Sequence, residues 1–337
     1  MRTLLHNMTR CRVLVIGDIL LDRYLWGDAE RLSPEAPVPV MRVASTTAAA
    51  GGAANVALNL RTLGLQVDLV GVAGQDADGR ALAALLAAQQ ITLDPRLLRR
   101  ACTTIVKTRV MCRQQQLCRL DVEREAEEYT LAPAKFAPLL TAKLAQADAI
   151  ILSDYAKGVI SSELISWVQS HARPQTLLAL APKPRPTLAF RDVPLVVPNR
   201  TEALALAGLP GVAAPHFPAD EVASRIFASH QPRMLVVTLG AAGMLVCRQG
   251  AAAHRIPTAA REVFDVCGAG DTVIAMLTAA LAAGATLDQA ATLANLAAGV
   301  VVGKVGVATA TPAEILAQLH SVQGHVAPAH RDKPGRP

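Results

Sequence analysis

The sequence predicts an α/β protein in which a mostly parallel central sheet is covered by helices on both faces. Short runs of β-branched residues or leucine recur along the chain and alternate with alanine-rich segments of helical spacing. Such continuously apolar runs suit strands that are buried between two helical layers. The strand candidates are RVLVIGD, VDLVGVAG, AIILSDY, TLLALAP, LVVPN and RMLVVTLG.

Length and composition limit the class of protein. A chain of 337 residues can bury roughly three quarters of its unfolded surface, which suits one large α/β domain or two small ones. The formal net charge of +6 is spread along the chain without an aromatic ladder, so we expect no nucleic-acid partner. No stretch reaches the roughly 20 apolar residues that a membrane span needs, and no signal-peptide block precedes the first strand candidate. We therefore expect a cytoplasmic protein with no membrane partner. The six cysteines show no metal-binding spacing and are expected to be free, buried thiols.

Polar residues follow the predicted strands. The side chains just beyond the apolar runs are Asp18, Asp154, Lys183, Asn199 with Glu202, and Thr238. Ligands of open α/β sheets bind beyond the carboxyl ends of the parallel strands, so we expect these side chains to converge at one edge of the sheet. The sequence therefore predicts a ligand site at that edge.

Two stretches alternate polar and apolar residues without an intervening helix, as exposed strands do. They lie at about residues 33–45, which include SPEAPVPVMRV, and at 103–123, TTIVKTRVMCRQQQLCRLDVE. We expect them to form a small projecting β-sheet that serves as a lid or a dimer contact. The tail at residues 323–337 is rich in His, Pro, Lys and Arg and is predicted to be disordered.

The segment DVCGAGD places two glycines, an alanine and a lone carboxylate, Asp271, at the start of an apolar helix. Glycines there let the backbone approach a ligand, while unpaired amides and the helix dipole attract an anion such as a phosphate. A carboxylate beside that phosphate is explained if it deprotonates or orients an attacking hydroxyl. The alternative is an acid that only favours the helix N-terminus.

Other phosphate-binding motifs are absent from the sequence. GVVVGKVG at residues 299–306 is one residue too short for GxxxxGK[ST] and has valine where the hydroxyl belongs, which predicts a helix and a turn. VIGDILLD carries an acid where a dinucleotide-binding fold requires glycine, which argues against a nicotinamide-dependent oxidoreductase.

Seven segments, in order, resemble the ribokinase family of sugar kinases, also called the phosphofructokinase B family, whose C-terminal signature reads D-x-x-G-A-G-D. The segments are VIGDILLDRY, SPEAPVPV, GGAANVALNL, LSDYAKG, VPNRTE, VFDVCGAGDTV and AAGVVVGKVG. They cover about residues 11–320. The resemblance implies one ribokinase-like three-layer α/β/α domain over residues 11–322, with a small β-lid formed by the two alternating stretches.

The resemblance also assigns roles on the phosphate side of the site. It implies that Asp271 is the catalytic base and that the anion hole is formed by Gly268, Ala269 and Gly270. Asn199 and Glu202 match the N-x-x-E that places Mg²⁺, and an amide oxygen with a carboxylate suits a hydrated hard cation. The implied ATP-binding residues are Thr238, Gly240, Gly243, Asn295 and Lys183. A helix-start acid at 202, an ordinary turn at 238–243 and a small-residue helix at 295 remain the alternatives.

On the sugar side, the resemblance implies hydroxyl-binding residues, which are Asp18, Asp22, Gly51, Gly52 and Asn55. A helix cap is the alternative for Asn55. The phosphate of a sugar phosphate requires cations, and the candidates are Lys107, Arg109, Arg113, Arg119 and Lys157. Alternate spacing places the first three of these on one strand face. An equally open alternative is that these cations lie on a solvated edge strand and protect it from aggregation.

The resemblance is greatest to the members that phosphorylate D-glycero-β-D-manno-heptose 7-phosphate. It implies ATP-dependent transfer to the anomeric C1 hydroxyl, which gives the 1,7-bisphosphate on the route to ADP-heptose and the lipopolysaccharide inner core. It also implies ATP and Mg²⁺ as cofactors, K⁺ as a further candidate, and a homodimer held by lid contacts. A separate adenylyltransferase is expected to act downstream.

Three positions depart from the pattern of these kinases. The kinases have D-P-K-G where this chain has APKP at residues 181–184, so the acid and the glycine are replaced, and Cys267 replaces their usual threonine. The missing acid leaves two other functions open, a kinase of another sugar or sugar phosphate and a catalytically weak sugar-phosphate sensor. The presence of Asp271, Glu202 and Asn199 favours an enzyme.

Overall fold

The computed structural model describes residues 1–113, 115–209, 217–249, 254–260 and 263–324 of the chain. Its strands are β1 (Arg12–Gly17), β2 (Ile19–Leu32), β3 (Pro39–Gly52), β4 (Gln66–Val70), β5 (Ala73–Gly74), β6 (Leu98–Arg99), β7 (Val106–Cys112), β8 (Gln115–Val122), β9 (Ala149–Ser153), β10 (Leu177–Ala181), β11 (Leu195–Val196), β12 (Met234–Thr238), β13 (Met244–Arg248) and β14 (His254–Ile256). Its helices are α1 (Arg2–Met8), α2 (Ala53–Thr62), α3 (Ala77–Ala87), α4 (Pro133–Leu144), α5 (Ser162–His171), α6 (Arg200–Leu206), α7 (Ala219–His230), α8 (Ala269–Ala282), α9 (Leu287–Val301) and α10 (Pro312–Gly324). The tail predicted to be disordered, 323–337, begins inside α10, and residues 325–337 lie outside the described residues.

Eight strands form the central sheet in the order β14-β13-β12-β11-β10-β9-β1-β4. Each neighbouring pair from β12 to β4 is parallel, whereas β13 and β14 are antiparallel additions at one edge. The register places Val13 of β1 between Val67 of β4 and Ala149 of β9. The predicted mostly parallel sheet is thus confirmed.

Helices cover both faces of this sheet. In β1, Val13 and Val15 pack into one apolar core, and Leu14 and Ile16 pack into a second core on the opposite face. Side chains of α1, α2, α3, α8, α9 and α10 complete the first core, and those of α4, α5, α6 and α7 complete the second. Both faces of the strand are buried, which explains why its sequence is continuously apolar rather than alternating. The three-layer α/β/α architecture is confirmed.

Helices α8 and α9 pack against each other, and both are rich in alanine. Alanines of both helices are fully buried at this contact, among them Ala275, Ala279, Ala290 and Ala294. Small side chains let the two helix backbones approach closely, and alanine also has the highest helix propensity. Helix α8 is consequently buried at every residue from Asp271 to Ala280, so its first turn is held rigidly at the edge of the sheet.

A second sheet contains four strands in the order β3-β2-β7-β8. Strand β2 enters it only one residue after β1 ends, and it pairs antiparallel with β3 and parallel with β7. Strand β8 is an edge strand that is exposed along its whole length. The structure therefore has a small sheet, built around β2, that is distinct from the central one.

The predicted lid strands differ from this second sheet in two respects. Residues 33–38 of the predicted 33–45 strand pair with no strand, because Pro34 and Pro37 lack the N–H that a ladder requires, and β3 begins only at Pro39. The long strand β2 was not predicted, since Ile19, Leu20 and Leu21 are all buried and show no alternation. The second predicted stretch, 103–123, corresponds to the hairpin of β7 and β8.

The remaining bulk predictions concern membranes and thiols. Across the described ranges, no helix is both long and apolar enough to span a membrane. All six cysteines are free, and Cys11, Cys102 and Cys247 are buried, whereas Cys118 is exposed. Free thiols are thus confirmed, although not all of them are buried.

A graded pair of substitutions tests the position of β9 in the centre of the sheet. Ile151 is fully buried between Val15 and Ala179 on the neighbouring strands. We expect Ile151→Ala to lower the free energy of unfolding by about 2–5 kcal/mol and Ile151→Val by about 0.5–1.5 kcal/mol, because both remove buried methyl groups. Urea unfolding with an unchanged m-value measures both. Equal and negligible losses would contradict a central position for β9.

Candidate active site

Helix α8 begins at a glycine that no other residue could replace without strain. Gly268 has a φ of +78°, in the left-handed region, and a Cβ added to it would lie 2.6 Å from Asn55 Nδ2. Gly270, in the first turn, has no heavy atom within 4 Å of such a Cβ. The backbone of this turn therefore faces open space where a ligand can approach.

The three residues predicted to form the anion hole are not equivalent. The N–H of Ala269 donates to the carbonyl of Val266 at 3.3 Å, and so is already used. Within the described residues, the amide of Gly270 has no protein acceptor, as expected for the first turn of a helix. The structure thus leaves Gly270, rather than Ala269, with an amide available to an anion.

Asp271 is buried at this helix start and accepts hydrogen bonds from two neutral donors. The Tyr155 hydroxyl donates to its Oδ1 at 2.5 Å, and Asn55 Nδ2 donates to its Oδ2 at 2.8 Å. Asn59 Nδ2 donates to Asn55 Oδ1 at 3.2 Å, which orients the Asn55 amide with its nitrogen towards Asp271. Thr272 in turn donates to Asn59 Oδ1 at 2.9 Å, so the network is anchored at both ends in α8.

The surroundings of Asp271 tune its acidity. Burial raises its pKa to about 6, and the hydrogen bonds from Tyr155 and Asn55 act in the opposite direction. Burial and the nearby Asp271 charge hold the pKa of Tyr155 well above its usual value, so Tyr155 stays a donor. A carboxylate with a pKa near neutrality, held by neutral donors, has the properties of a general base.

Asp18 holds the loop that carries Tyr155. Its carboxylate accepts the backbone N–H groups of Tyr155 at 2.8 Å, Lys157 at 3.1 Å and Val159 at 2.9 Å. The residue is fully buried, and burial raises its pKa. The prediction that Asp18 binds sugar hydroxyls is not supported by this geometry, because its oxygens are enclosed by backbone donors. Its position instead fixes Tyr155 against Asp271.

Asp22, in contrast, lies within β2 opposite Ala49 of β3 and is ion-paired with Arg109 of β7. A Cβ at Gly51 would lie 2.0 Å from Asp22 Oδ2, so this glycine is required for the carboxylate to fit beside β3. The guanidinium of Arg109 also lies 5.3 Å from the ring centroid of Tyr24. The structure thus brings three of the predicted residues together, namely Asp22, Gly51 and Arg109. Gly52, also predicted, follows at the end of β3 with a φ of +60°.

The predicted cations, which lie on β7, on β8 and in the loop after β9, differ in their partners. Lys157 pairs with Glu123 at 2.6 Å and Arg119 pairs with Asp121 at 2.7 Å. Lys107 forms no ion pair within the described residues, and its Nζ lies 5.7 Å from the ring centroid of Tyr155. Burial lowers the pKa of Lys107. An unpaired, half-buried ammonium beside Tyr155 is therefore the best placed of these cations to bind an anionic substrate group.

Arg113 does not share this location. Arg113 lies just beyond the end of β7 with a φ of +55°, in the left-handed region, and pairs with Asp28 at 3.4 Å. Asp28 lies six residues beyond Asp22 on β2, which is about 20 Å along the strand. The prediction that Arg113 joins Lys107 and Arg109 on one substrate-facing surface is therefore wrong.

The other side of the candidate site lies at the start of α6. Asn199 and Glu202 form a capping box, in which Glu202 N donates to Asn199 Oδ1 at 2.9 Å and Asn199 N donates to Glu202 Oε2 at 2.8 Å. Lys183 Nζ donates to Glu202 Oε1 at 3.0 Å, and a β-bridge joins Asn199 to Thr238. Glu202 is therefore a helix-start acid, as the alternative predicted. Its carboxylate also faces Lys183 at the sheet edge.

The donor set near Glu202 suits only one kind of metal site. In the part of the chain that the structure describes, no group of three or more His, Cys, Asp or Glu side chains could hold a metal ion. One carboxylate and one amide oxygen fit Mg²⁺ that keeps several waters and takes its other ligands from phosphates. They do not fit a metal held entirely by protein.

The predicted nucleotide-binding residues beyond β12 differ in whether their surroundings leave room for a ligand. Gly240 has open space around an added Cβ, whereas Gly243 lies against the Ile256 carbonyl and has a φ of +82°. Asn295 Nδ2 donates to the Pro257 carbonyl at 2.7 Å, and its Oδ1 accepts from Ala259 N at 3.4 Å. Asn295 therefore braces the segment that follows β14, and the geometry does not support a direct contact with adenine.

Sequence reasoning missed several side chains that the structure brings to the site. They are Tyr155, Asn59, Thr272 and Arg185. Tyr155 was the one that could have been found, because it follows β9 in LSDYAKG at the edge where ligand-binding residues gather. The others act through hydrogen bonds between distant segments and leave no signal in spacing.

Comparison with known proteins identifies relatives over most of the chain. The profile of the pfkB family carbohydrate kinases matches residues 11–314. The bifunctional protein HldE of Halorhodospira halophila is 47% identical over 315 residues, covering 91% of this chain and 63% of that protein. HldE of Pseudomonas aeruginosa is 42% identical over 332 residues, covering 96% and 67%. The chain thus spans about two thirds of the length of these relatives.

Solved structures with low sequence identity have the same fold. Phosphofructokinase-2 from Escherichia coli has a TM-score of 0.74 at 19% identity, covering 93% of this chain and 99% of its own. Ribokinase from Arabidopsis thaliana has a TM-score of 0.70 at 19% identity, covering 92% and 99%. The fold is therefore ribokinase-like. The chain belongs to the pfkB family of carbohydrate kinases, which makes it a phosphotransferase with an alcohol group as acceptor.

Proposed function

We propose that this protein phosphorylates the anomeric C1 hydroxyl of D-glycero-β-D-manno-heptose 7-phosphate with ATP and forms the 1,7-bisphosphate. The observation that carries the proposal is the buried Asp271 at the start of α8, held by Tyr155 and Asn55 with a pKa of about 6. The motifs that resemble heptose 7-phosphate kinases and the relatives named HldE support the substrate. A separate adenylyltransferase would act further downstream on the route to ADP-heptose.

The proposed chemistry uses Asp271 as the base. Tyr155 and Asn55 each use one lone pair of its carboxylate, which leaves further lone pairs to accept a hydrogen bond from the sugar hydroxyl. The hydroxyl oxygen attacks the γ-phosphorus of ATP in line, its proton passes to Asp271, and the bond to the β–γ bridging oxygen breaks to release ADP. The free amide of Gly270 and the positive end of α8 stabilise charge on the transferring group.

The donor side of the reaction is assigned to the start of α6. Asn199 and Glu202 would hold a hydrated Mg²⁺, which neutralises charge on the β- and γ-phosphates when bound. Lys183, paired with Glu202, adds a cation that is half exposed at the same place, with 52% of its side chain accessible. This side chain can turn from Glu202 to a phosphate oxygen without leaving the sheet edge.

The acceptor side is assigned to the second sheet. Asp22, beside Gly51, accepts hydrogen bonds from sugar hydroxyls, and Lys107 binds the phosphate at C7. The second sheet is the lid of this site. Its edge strand β8 exposes Leu120 and Val122, which supports contact with the same strand of a second copy in a homodimer.

A catalytically weak sugar-phosphate sensor is the second candidate function. It is favoured by one observation, the alanine at position 181 where related kinases have an acid. It is opposed by the retained pair of Glu202 and Lys183 and by the organised base.

The first test compares the unmodified protein with Asp271→Ala. Phosphorus NMR of a reaction with heptose 7-phosphate and Mg-ATP should show a new anomeric phosphate signal. We expect Asp271→Ala to lower turnover by about 10²–10⁴-fold, because general base catalysis is lost. A melting curve close to that of the unmodified protein controls for folding. Tight sugar-phosphate binding without turnover by the unmodified protein would instead support the sensor.

The second test uses the pH dependence of turnover. We expect kcat to fall as the pH drops through about 6, because Asp271 becomes protonated. Tyr155→Phe should move this acid limb to higher pH, since the variant loses a hydrogen bond that lowers the pKa of Asp271. Tyr24→Phe is the matched control, because the buried Tyr24 hydroxyl has no partner among the described residues. Superimposable profiles for Tyr155→Phe and the unmodified protein would exclude this role for Tyr155.

The third test concerns Lys107. We expect Lys107→Met to raise the KM for heptose 7-phosphate by about tenfold or more and to leave the KM for ATP unchanged, because only the sugar phosphate loses a charged hydrogen bond. Arg42→Met is the control, since Arg42 is exposed and pairs only loosely with Glu30, at 3.9 Å. An equal rise in KM for the non-phosphorylated heptose would show that Lys107 does not bind the phosphate.

A further inference from the structure

Two loops at the carboxyl edge of the sheet carry the two sides of the candidate site. The loop after β9 includes Tyr155, which donates to Asp271. The loop after β10 includes Lys183, which donates to Glu202. Phosphoryl transfer requires these two sides to be aligned, so whatever joins the loops controls the alignment.

The side chain of Asp154 joins the loops from within. Its Oδ1 accepts the N–H of Ala156 at 2.9 Å in its own loop, and its Oδ2 accepts the N–H of Lys183 at 3.0 Å in the other. This side chain has no exposed surface. A carboxylate so deeply buried requires a cation or further donors to be stable.

Arg185 supplies that cation and extends the connection. Its NH1 lies 2.6 Å from Asp154 Oδ2 and also donates to the Lys183 carbonyl at 2.9 Å. Its NH2 donates to the Ile160 carbonyl at 2.7 Å, at the far end of the loop after β9. A planar guanidinium can make these contacts together, whereas a lysine ammonium cannot match their fork geometry.

The sequence explains why the loop after β10 depends on this connection. Ala181 has no polar side chain to hold the loop, and Pro184 has no N–H to donate. Lys183 is thus held through its own N–H by Asp154 and through its carbonyl by Arg185.

We propose that Arg185 is a positioning residue that fixes Lys183, on the ATP side, relative to Tyr155 and Asp271, on the acceptor side. This inference rests on the proposed kinase function. Arg185 contacts no reacting group itself and acts through Lys183. Its loss should therefore affect ATP binding and transfer more than sugar binding. A displacement of about 1 Å at the reacting groups can cost about 100-fold in rate.

The experiment compares Arg185→Gln and Arg185→Lys with Arg173→Gln. Arg173 is a close match at the opposite end of β9, because its NH2 donates to the Ala147 carbonyl at 2.6 Å and to Asp148 at 3.4 Å. The measurements are kcat, the KM for each substrate, and the Kd for Mg-ATP by calorimetry. We expect Arg185→Gln to weaken Mg-ATP binding and lower kcat by about 10–100-fold, and Arg173→Gln to change neither.

A double-mutant cycle with Lys183→Met separates positioning from a general loss of structure. If Arg185 acts through Lys183, then Arg185→Gln should add little to the ATP defect of Lys183→Met. Additive defects, or an Arg185→Gln defect no larger than that of Arg173→Gln, would overturn the inference. If Arg185→Gln does not fold, the same measurements on Arg185→Lys are compared with Lys183→Met and Arg173→Gln in the same way. Calorimetry with Mg-ATP requires no acceptor, so the inference is tested even if the proposed sugar substrate is wrong.

Discussion

Buried carboxylates that must find hydrogen-bond donors organise the functional edge of this protein. Asp18 and Asp154 follow neighbouring strands of the central sheet, and Asp271 begins a helix that packs on it. Each is buried, and an unsatisfied buried carboxylate would cost several kcal/mol. Asp18 therefore accepts hydrogen bonds from three backbone amides of the loop after β9, and Asp154 accepts them from amides of two loops. The loops that form the site are held in place by the acids at their bases.

The kind of donor decides what each acid can do. Asp154 has a guanidinium partner, Arg185, and Asp22 has Arg109, so both carboxylates are neutralised by ion pairs. Within the described residues, Asp271 has only the neutral donors Tyr155 and Asn55. Without a paired cation, burial dominates and the pKa of Asp271 rises to about 6. Asp271 thus combines burial, neutral side-chain donors and a pKa near neutrality.

Local sequence patterns were sufficient to predict the layers of the fold and the edge of the sheet where the site lies. Strand runs, alanine-rich helices and the glycines before Asp271 all act over a few residues, so they were readable. The strand β2 was not predicted, because Ile19, Leu20 and Leu21 are all buried and so lack the alternation of an exposed strand. The backbone contacts of Asp18 were not predictable, because the amides that donate to its carboxylate come from a segment about 140 residues away. Contacts of that range are set by topology and leave no periodic trace.

The burial of Asp271 also bears on the simpler alternative, an acid that only favours a helix N-terminus. Such an acid lies in solvent and is stabilised in its charged form by the helix dipole, which lowers its pKa. Asp271 shows the opposite, since burial raises its pKa from 3.8 to about 6. The folded state then binds its proton more tightly than the unfolded state, so stability decreases as the pH rises through this interval. At neutral pH the ionised carboxylate costs roughly 3 kcal/mol. A position that weakens the fold is hard to explain by structure alone, and the proposed role of Asp271 as a general base accounts for it.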